Sequence, residues 1–140
     1  MSDIIITWVN FLYLILESLP TWPSREQIKQ YFPEVFKGEF EDIRCIINCT
    51  EIKCQTLQDL EKQSELYSKD KSHSTFKGLV GISHNVWITF VSSLYGGSIL
   101  DKEIVKISSL TDLVEENDLI MMDHGRSKDL IYRIYWHARR

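Results

Sequence analysis

The sequence predicts an α/β fold in which N-terminal helices precede a mixed sheet built in the order β-β-β-α-β. Three apolar runs of strand length are followed by a segment with helix-start signals and then by a fourth apolar run. Three strands in an antiparallel meander, followed by a crossover helix, let the fourth strand lie beside the first. With 44% apolar residues, a chain of 140 residues can form one domain with its own core.

The N-terminal segment predicts an amphipathic helix that packs on the rest of the chain. Pro20 and Pro23 cannot continue this helix beyond Leu19. Asp3 stands where a signal peptide would carry basic residues, and the apolar run 4–16 is too short to span a bilayer. The residues at helical spacing are Ile4, Trp8, Phe11, Leu12, Ile15 and Leu19.

A second, short helix is predicted directly after these prolines. Ser24 is a good N-cap for a helix that continues to Gln30 or Tyr31, and Pro33 ends it. The polar segment 34–42 has the composition of a linker. Residues 1–40 are therefore expected to form a helical lead-in.

The first core strand is predicted over residues 44–50. Asn48 lies in the middle of this apolar run, and a buried amide there would need hydrogen-bond partners. Asn48 is therefore either a satisfied structural amide or a residue in a position built for something else. Alternation places Cys45, Ile47 and Cys49 on one face and Ile46, Asn48 and Thr50 on the other.

A hairpin is predicted after a long polar stretch. Residues 53–74 are expected to form a loop with one helical turn. Two strands then follow over residues 75–82 and 86–92, and the polar residues 83–85 give the short connection of a β-hairpin.

A crossover helix and a fourth strand complete the predicted core. Ser98 and Asp101 have the spacing of a capping box, which predicts a helix through about Leu113. The apolar run 119–122 predicts the fourth strand, and Asp123 follows it directly.

The ends of the first and fourth strands are where the sequence predicts chemistry. In a sheet of this order they lie side by side, and a carboxylate on each would face a shared divalent metal ion, as two-metal phosphoryl chemistry requires. Asp123 stands where one ligand is expected. Asn48 stands where its partner is expected, and it is an amide.

Charge and cysteine content restrict the class of function. The net charge of -4 argues against nucleic-acid binding by overall charge, so a local basic patch would be needed. Cys45, Cys49 and Cys54 make no CxxC pair and the four histidines are scattered, which disfavours a zinc site or a disulfide framework. Buried or free thiols in a reducing compartment are expected.

Two groups of basic residues are candidates for such a patch. The first could contact phosphates or be a solvated loop, and the second could clamp a nucleic-acid strand or be a frayed, partly packed tail, which is the favoured interpretation. The first group is Lys69, Lys71, His73 and Lys77, and the second is Arg133, Arg139 and Arg140 with Tyr132, Tyr135 and Trp136.

Four segments occur in the order RCIINCTEI, YSKDKSHSTFKGLVGIS, ITFVSSLYGGSILDKEI and DLIMMDHG. In this order they resemble the Harbinger-type transposase-derived nucleases, also called DDE superfamily endonucleases. The upstream TWVNFLYLILESLPTWPSREQIKQYFPEVFK is similar to the segment before the nuclease core, so the resemblance covers about residues 7–125. It implies an RNase H-like fold, nuclear localisation, and cleavage and joining of DNA by three carboxylates with Mg²⁺ or Mn²⁺.

The resemblance also implies which residues would bind the metal. The family motif Asp-Cys-Thr-Glu begins here with Asn48, in the position of the lost first acid. The motif Ser-Asp-Lys-Glu keeps Asp101 with Leu100 in place of serine, and Ala-Asp-Arg-Gly-Phe keeps its aspartate as Asp123. Asp101 and Asp123 are therefore the candidate catalytic and metal-binding residues. Strand order favours Asp123 as the second ligand, and a helix cap is the alternative for Asp101.

The family's third acid, a glutamate on a later helix, has no counterpart after Asp123, where Asp129 is the sole acid. We expect a partial nuclease core over residues 41–125, truncated at the C-terminus, and a divergent tail over 126–140. The expected function is a catalytically degenerate DDE endonuclease domain with DNA as partner, divalent-metal binding weakened or lost, and no membrane association. The alternatives are a non-catalytic DNA- or protein-binding module domesticated from a transposase, and a non-functional transposon fragment.

Overall fold

A computed structural model describes residues 2–38, 40–56 and 58–122, together with the backbone of residues 131–132. The described chain contains both helices and strands, as expected of an α/β domain. The helices are α1 (Asp3–Glu17), α2 (Arg25–Gln30), a 3-10 helix (Glu34–Phe36), α3 (Leu60–Leu66), α4 (Asp101–Ile107) and α5 (Leu110–Leu113). The strands are β1 (Ile43–Lys53), β2 (Tyr67–Ser68), β3 (His73–Ile82), β4 (Ile88–Val91), β5 (Tyr95–Gly96), β6 (Leu119–Met122) and β7 (Ile131–Tyr132).

The sheet is mixed, with β1 between an antiparallel and a parallel neighbour. β1 pairs antiparallel with β3, which in turn pairs antiparallel with β2, β4 and β5. After α4 and α5, the chain returns to the far side of β1, where β6 runs parallel to it. The predicted mixed sheet, with its fourth main strand beside the first, is therefore confirmed.

The core lies between one face of this sheet and the helices α4 and α5. Alternation along β1 puts Cys45 and Ile47 on this face, as predicted, and both are almost completely buried. The crossover helices contribute Ile104 and Leu110, which are fully buried against the same cluster. The remaining buried members are Leu79, Phe90, Val114, Ile120 and Met122.

A network of charges holds the segment before β1 against the core. Arg44 of β1 is buried, donates to the backbone carbonyl of Pro23 at 2.6 Å and lies over the ring of Trp22. Asp118, just before β6, is also buried; it pairs with Arg25 at 3.0 Å and lies 3.7 Å from Arg44. One carboxylate thus joins the start of α2, the start of β1 and the start of β6.

Three local predictions are confirmed. Ser24 caps α2 in a reciprocal capping box with Gln27. The hairpin β3–β4 turns at residues 83–87, where the backbone N–H of Ser83 donates to the carbonyl of Trp87. The three cysteines are free thiols.

Three predictions about helices are wrong. α1 forms where expected, but none of its residues is buried, so its apolar face does not pack on the described part of the chain. Ser98 is not a helix cap, because its hydroxyl donates to the carbonyl of Glu65, and α4 begins only at Asp101 after an uncapped Leu100. The predicted single helix is also divided into α4 and α5.

None of the described helices is long and apolar enough to cross a membrane.

Candidate functional site

Asn48 lies on the face of β1 that is turned away from the core. Its neighbours Ile47 and Cys49 pack towards α4, so alternation turns Asn48 to the other face, opposite Val80 of β3. The residue is exposed, which makes the interpretation as a buried amide wrong. An exposed amide is solvated, so no structural hydrogen bond is needed to keep an asparagine at this position.

The described part of the parallel pairing between β1 and β6 reaches the residue before Asn48. The last described pair is Ile47 with Met122, and the next residue along each chain is Asn48 and Asp123. Asp123 lies outside the described residues, and so do Asp129 and the three arginines of the C-terminal basic group. The metal-binding role of Asp123 stays a prediction.

Asp101 lies in a cluster of charges on the opposite, helix-covered face of the sheet. The ammonium group of Lys77, on β3, is 3.0 Å from the Asp101 carboxylate and 3.8 Å from that of Glu51, on β1. The same ammonium donates to the backbone carbonyl of Ile99, and Thr75 donates to Glu51 at 2.8 Å. Two carboxylates therefore share one buried cation.

The charge cluster depends on where the chain turns before α4. Gly97 packs directly against the strand, since a Cβ at this position would lie 2.6 Å from the carbonyl oxygen of Leu66 and would also meet Thr75. Its backbone N–H donates to the carbonyl of Thr75 at 2.9 Å. This close approach brings Ile99 and Asp101 within reach of Lys77.

The prediction that Lys77 contacts phosphates is wrong. The side chain is only 7% exposed and is saturated by Asp101 and Glu51. Burial lowers the pKa of Lys77, but the two carboxylates together outweigh that effect and the net pKa is raised. The sequence contained a signal for this role. Lys77 and Leu79 are two residues apart on a strand, so their side chains lie on the same face, which is buried. By contrast, Lys69 and Lys71 are exposed, and their phosphate contact stays a prediction.

The described residues do not fit a divalent metal site. Within residues 2–38, 40–56 and 58–122, no group of three histidine, cysteine, aspartate or glutamate side chains could hold a metal ion. Asn48 offers a neutral amide oxygen, whereas Mg²⁺ needs charged ligands to offset its dehydration. Asp101 is on the other face of the sheet and is paired with Lys77.

The surroundings of Cys45 and Cys49, the two cysteines of β1, make their thiols unreactive. Burial raises the pKa of Cys45 to about 11, and burial together with the nearby Asp101 carboxylate raises the pKa of Cys49 to about 12. Both thiols are therefore protonated at neutral pH. Cys54 lies beyond the end of β1 and is half-buried.

We expect iodoacetamide to alkylate Cys54 first. At about pH 8, the protonated thiols of Cys45 and Cys49 should react at least about tenfold more slowly, because only the thiolate is nucleophilic. Peptide mass spectrometry over a time course measures the three rates. In Cys54→Ser the fast phase should disappear, and alkylation of Cys49 at the rate of Cys54 would contradict the environment described.

Comparison with known proteins assigns the family. The model of the DDE superfamily endonuclease family matches residues 47–131, which is more than half of the chain. The mixed sheet and its crossover helices are those of an α/β domain consistent with a nuclease. The chain belongs to the DDE superfamily endonuclease family. A search of curated proteins and a search of solved structures each found no match.

Family membership implies the ancestry, the metal dependence and the substrate class of the domain. It gives the domain a transposase-derived nuclease ancestry. DDE nucleases generally use divalent metal ions, and their substrate is DNA. The matched region begins at Ile47, so it contains Asn48 and the whole charge cluster around Lys77.

Proposed function

We propose that the chain is a Harbinger-type DDE nuclease domain with an RNase H-like core, and that Asn48 disables its metal-dependent cleavage of DNA. One observation carries this proposal: the last described pair in the parallel register of β1 and β6 is Ile47 with Met122. Asn48 and Asp123 are the residues that follow this pair in the sequence. A pair of carboxylates in these positions would share a metal ion, and here one of the two is an amide.

The strand order supports the RNase H-like part of the proposal. An antiparallel meander of β1, β3 and β4 is followed by crossover helices and by β6 parallel to β1. This is the order β-β-β-α-β predicted from the sequence pattern, with short strands and α3 added in the loops.

The charge cluster supports the assignment of Asp123 over Asp101 as the remaining metal ligand. Releasing Asp101 to a metal would leave the buried ammonium of Lys77 with Glu51 alone, at 3.8 Å. Uncompensated buried charge is costly, so Asp101 is better explained as the partner of Lys77. Its position in the first turn of α4 adds a favourable interaction with the helix dipole.

Nicking of supercoiled plasmid DNA tests the proposal. With Mg²⁺ or Mn²⁺, the unmodified chain is expected to nick no faster than Asp123→Ala. Asn48→Asp adds the missing charge to an exposed position, so it can be introduced without disturbing the core. Asn48→Ala is the matched control that changes the same side chain without adding charge.

Nicking by the unmodified chain decides whether the proposal is refuted. Metal-dependent nicking by this chain that is lost in Asp123→Ala would show that Asn48 does not disable the site, and would refute the proposal. Nicking gained in Asn48→Asp and absent in Asn48→Ala would support it, and would show that the rest of the site is intact.

A non-catalytic DNA-binding module is the second candidate function. The exposed Lys69 and Lys71, in the turn between β2 and β3, favour it because ammonium groups can bind phosphates without any metal. In a mobility-shift assay, Lys69→Ala with Lys71→Ala should weaken DNA binding and lower its dependence on salt. Unchanged binding in that double variant would remove the support for this candidate.

A further inference from the structure

The helix α1 presents an apolar surface that the described part of the chain does not cover. None of its 15 residues is buried. Eleven large apolar side chains on it are each between 42% and 68% exposed. Isolated helices of this length are marginal in water, and most helix stability in proteins comes from packing of an apolar face. α1 therefore needs a partner surface.

The pattern of α1 is that of a helix that pairs with another helix. Ile5, Trp8, Leu12 and Ile15 follow each other at spacings of three, four and three residues, which is the repeat of a two-helix seam. These side chains are all about half exposed. The polar residues of the helix share a separate narrow stripe, which consists of Asp3, Thr7, Asn10 and Glu17.

The apolar surface continues beyond the end of α1. Leu19 lines a cavity of about 780 Å³ together with the tip of the β3–β4 hairpin. At that tip Val86, Trp87 and Ile88 are exposed, and the ring of Trp87 lies 5.8 Å from that of Tyr31. Leu19, two residues beyond the end of α1, and the hairpin tip thus line the same cavity.

The charge of α1 excludes two of the possible partners. The helix carries Asp3 and Glu17 and no basic residue. DNA and anionic membranes bind basic surfaces, so neither matches this helix. A protein with an apolar surface matches this helix, and a neutral membrane is the alternative that the experiment below distinguishes.

The exposed area matches the requirement of a dimer. Eleven half-exposed large apolar side chains, which are spread over most of the circumference of α1, present on the order of 1,000 Å². A standard interface buries about 800 Å² per partner, so a second copy would cover the part of this surface around the seam. Monomeric proteins rarely expose contiguous apolar patches above about 600 Å². Interfaces between identical subunits are also the more apolar class, which fits a surface with a single polar stripe.

We propose that α1 is a dimerisation helix that packs against α1 of a second copy of the chain. The seam of Ile5, Trp8, Leu12 and Ile15 forms the centre of a two-fold interface, in which the same patch is used by both copies. An antiparallel arrangement aligns the helix dipoles favourably. This inference is independent of whether the domain cleaves DNA.

Sedimentation velocity of the 140-residue chain over a hundredfold concentration range tests the proposal. The unmodified chain is expected to be a dimer that dissociates on dilution. Leu12→Lys places a charge in the seam and should weaken dimerisation at least about tenfold, and Ile15→Lys is a second variant with the same expectation. Asn10→Lys is the matched control, because it adds the same charge to the polar stripe and should leave the dimer intact.

Several results would overturn this inference. They are a monomer at every concentration, open-ended aggregation without a defined dimer, and equal weakening by Asn10→Lys and Leu12→Lys. Binding of a monomer to neutral phosphatidylcholine vesicles would also overturn it, because a membrane would then be the partner. Thermal unfolding of each variant shows that the sheet remains folded, which is expected because the substituted residues are exposed.

Discussion

Asp118→Ala is expected to lower the free energy of unfolding by about 3–5 kcal/mol, the usual cost of removing one partner from a buried ion pair. Asp118 is 5% exposed and pairs with Arg25 at 3.0 Å. It also accepts a hydrogen bond from the backbone N–H of Glu115 and lies 3.7 Å from the buried Arg44. Without this carboxylate, the buried guanidinium group of Arg44 keeps only one carboxylate within 4.0 Å among the described residues, that of the exposed Glu115.

Urea denaturation of Asp118→Ala measures this loss. Asp112→Ala is the matched control, because Asp112 is an exposed aspartate on α5 and its replacement should cost less than about 0.5 kcal/mol. Equal midpoints for the two variants would show that the network around Asp118 does not hold the lead-in segment to the core.

Lys77→Met is the second substitution for which a large effect is expected, a loss of about 2–4 kcal/mol. Methionine preserves the length of the side chain but removes the charge that Glu51 and Asp101 share. Glu51 is only 11% exposed on its side chain, so its carboxylate would be left nearly buried beside a second carboxylate. The cost is lower than for a fully buried pair because the Asp101 side chain is 36% exposed and can be solvated.

Chemical denaturation measures this loss, with Lys102→Met as the control. The control also removes one lysine, but an exposed one. Lys102 is exposed on α4, so its replacement should be nearly neutral. The pH dependence gives a second test. Because the folded pKa of Lys77 is raised, its stabilisation is complete below its ordinary value of 10.5 and is lost as pH rises through the folded pKa. A flat stability profile across that range in the unmodified chain would contradict the ion pairing.

The four main strands β1, β3, β4 and β6 were predictable from the sequence pattern, whereas the short strands β2 and β5 were not. Alternation in β1 separates Cys45 and Ile47 from Asn48, and the structure confirms which face is buried. The apolar run at β6 and the crossover before it were sufficient to place that strand beside β1.

Contacts between distant parts of the chain were not predictable from the pattern. Arg25 and Asp118 are 93 residues apart, and neither belongs to a motif that marks it as a partner of the other. Ser98 has the spacing of a capping residue, but its hydroxyl bonds to Glu65 of a preceding helix. The helical spacing in α1 predicts an apolar face without stating which surface covers it.

The site was predicted in part. Sequence reasoning selected Asn48 and Asp101, but it did not predict that they lie on opposite faces of the sheet. The position of Asp101 became clear only from its ion pair with the buried Lys77. Burial of Asn48 was also assumed from its apolar neighbours, whereas strand alternation exposes it. The role of Asp123 rests on its place after β6 and stays a prediction.

Isothermal titration with Mn²⁺ most directly tests the central claim that Asn48 occupies the position of a lost metal ligand. We expect Asn48→Asp to bind Mn²⁺ at least about tenfold more tightly than the unmodified chain, because a second carboxylate next to Asp123 supplies the missing charge. The gain should disappear in Asn48→Asp with Asp123→Ala and be absent in Asn48→Ala. Equal affinity of Asn48→Asp and the unmodified chain would contradict the claim.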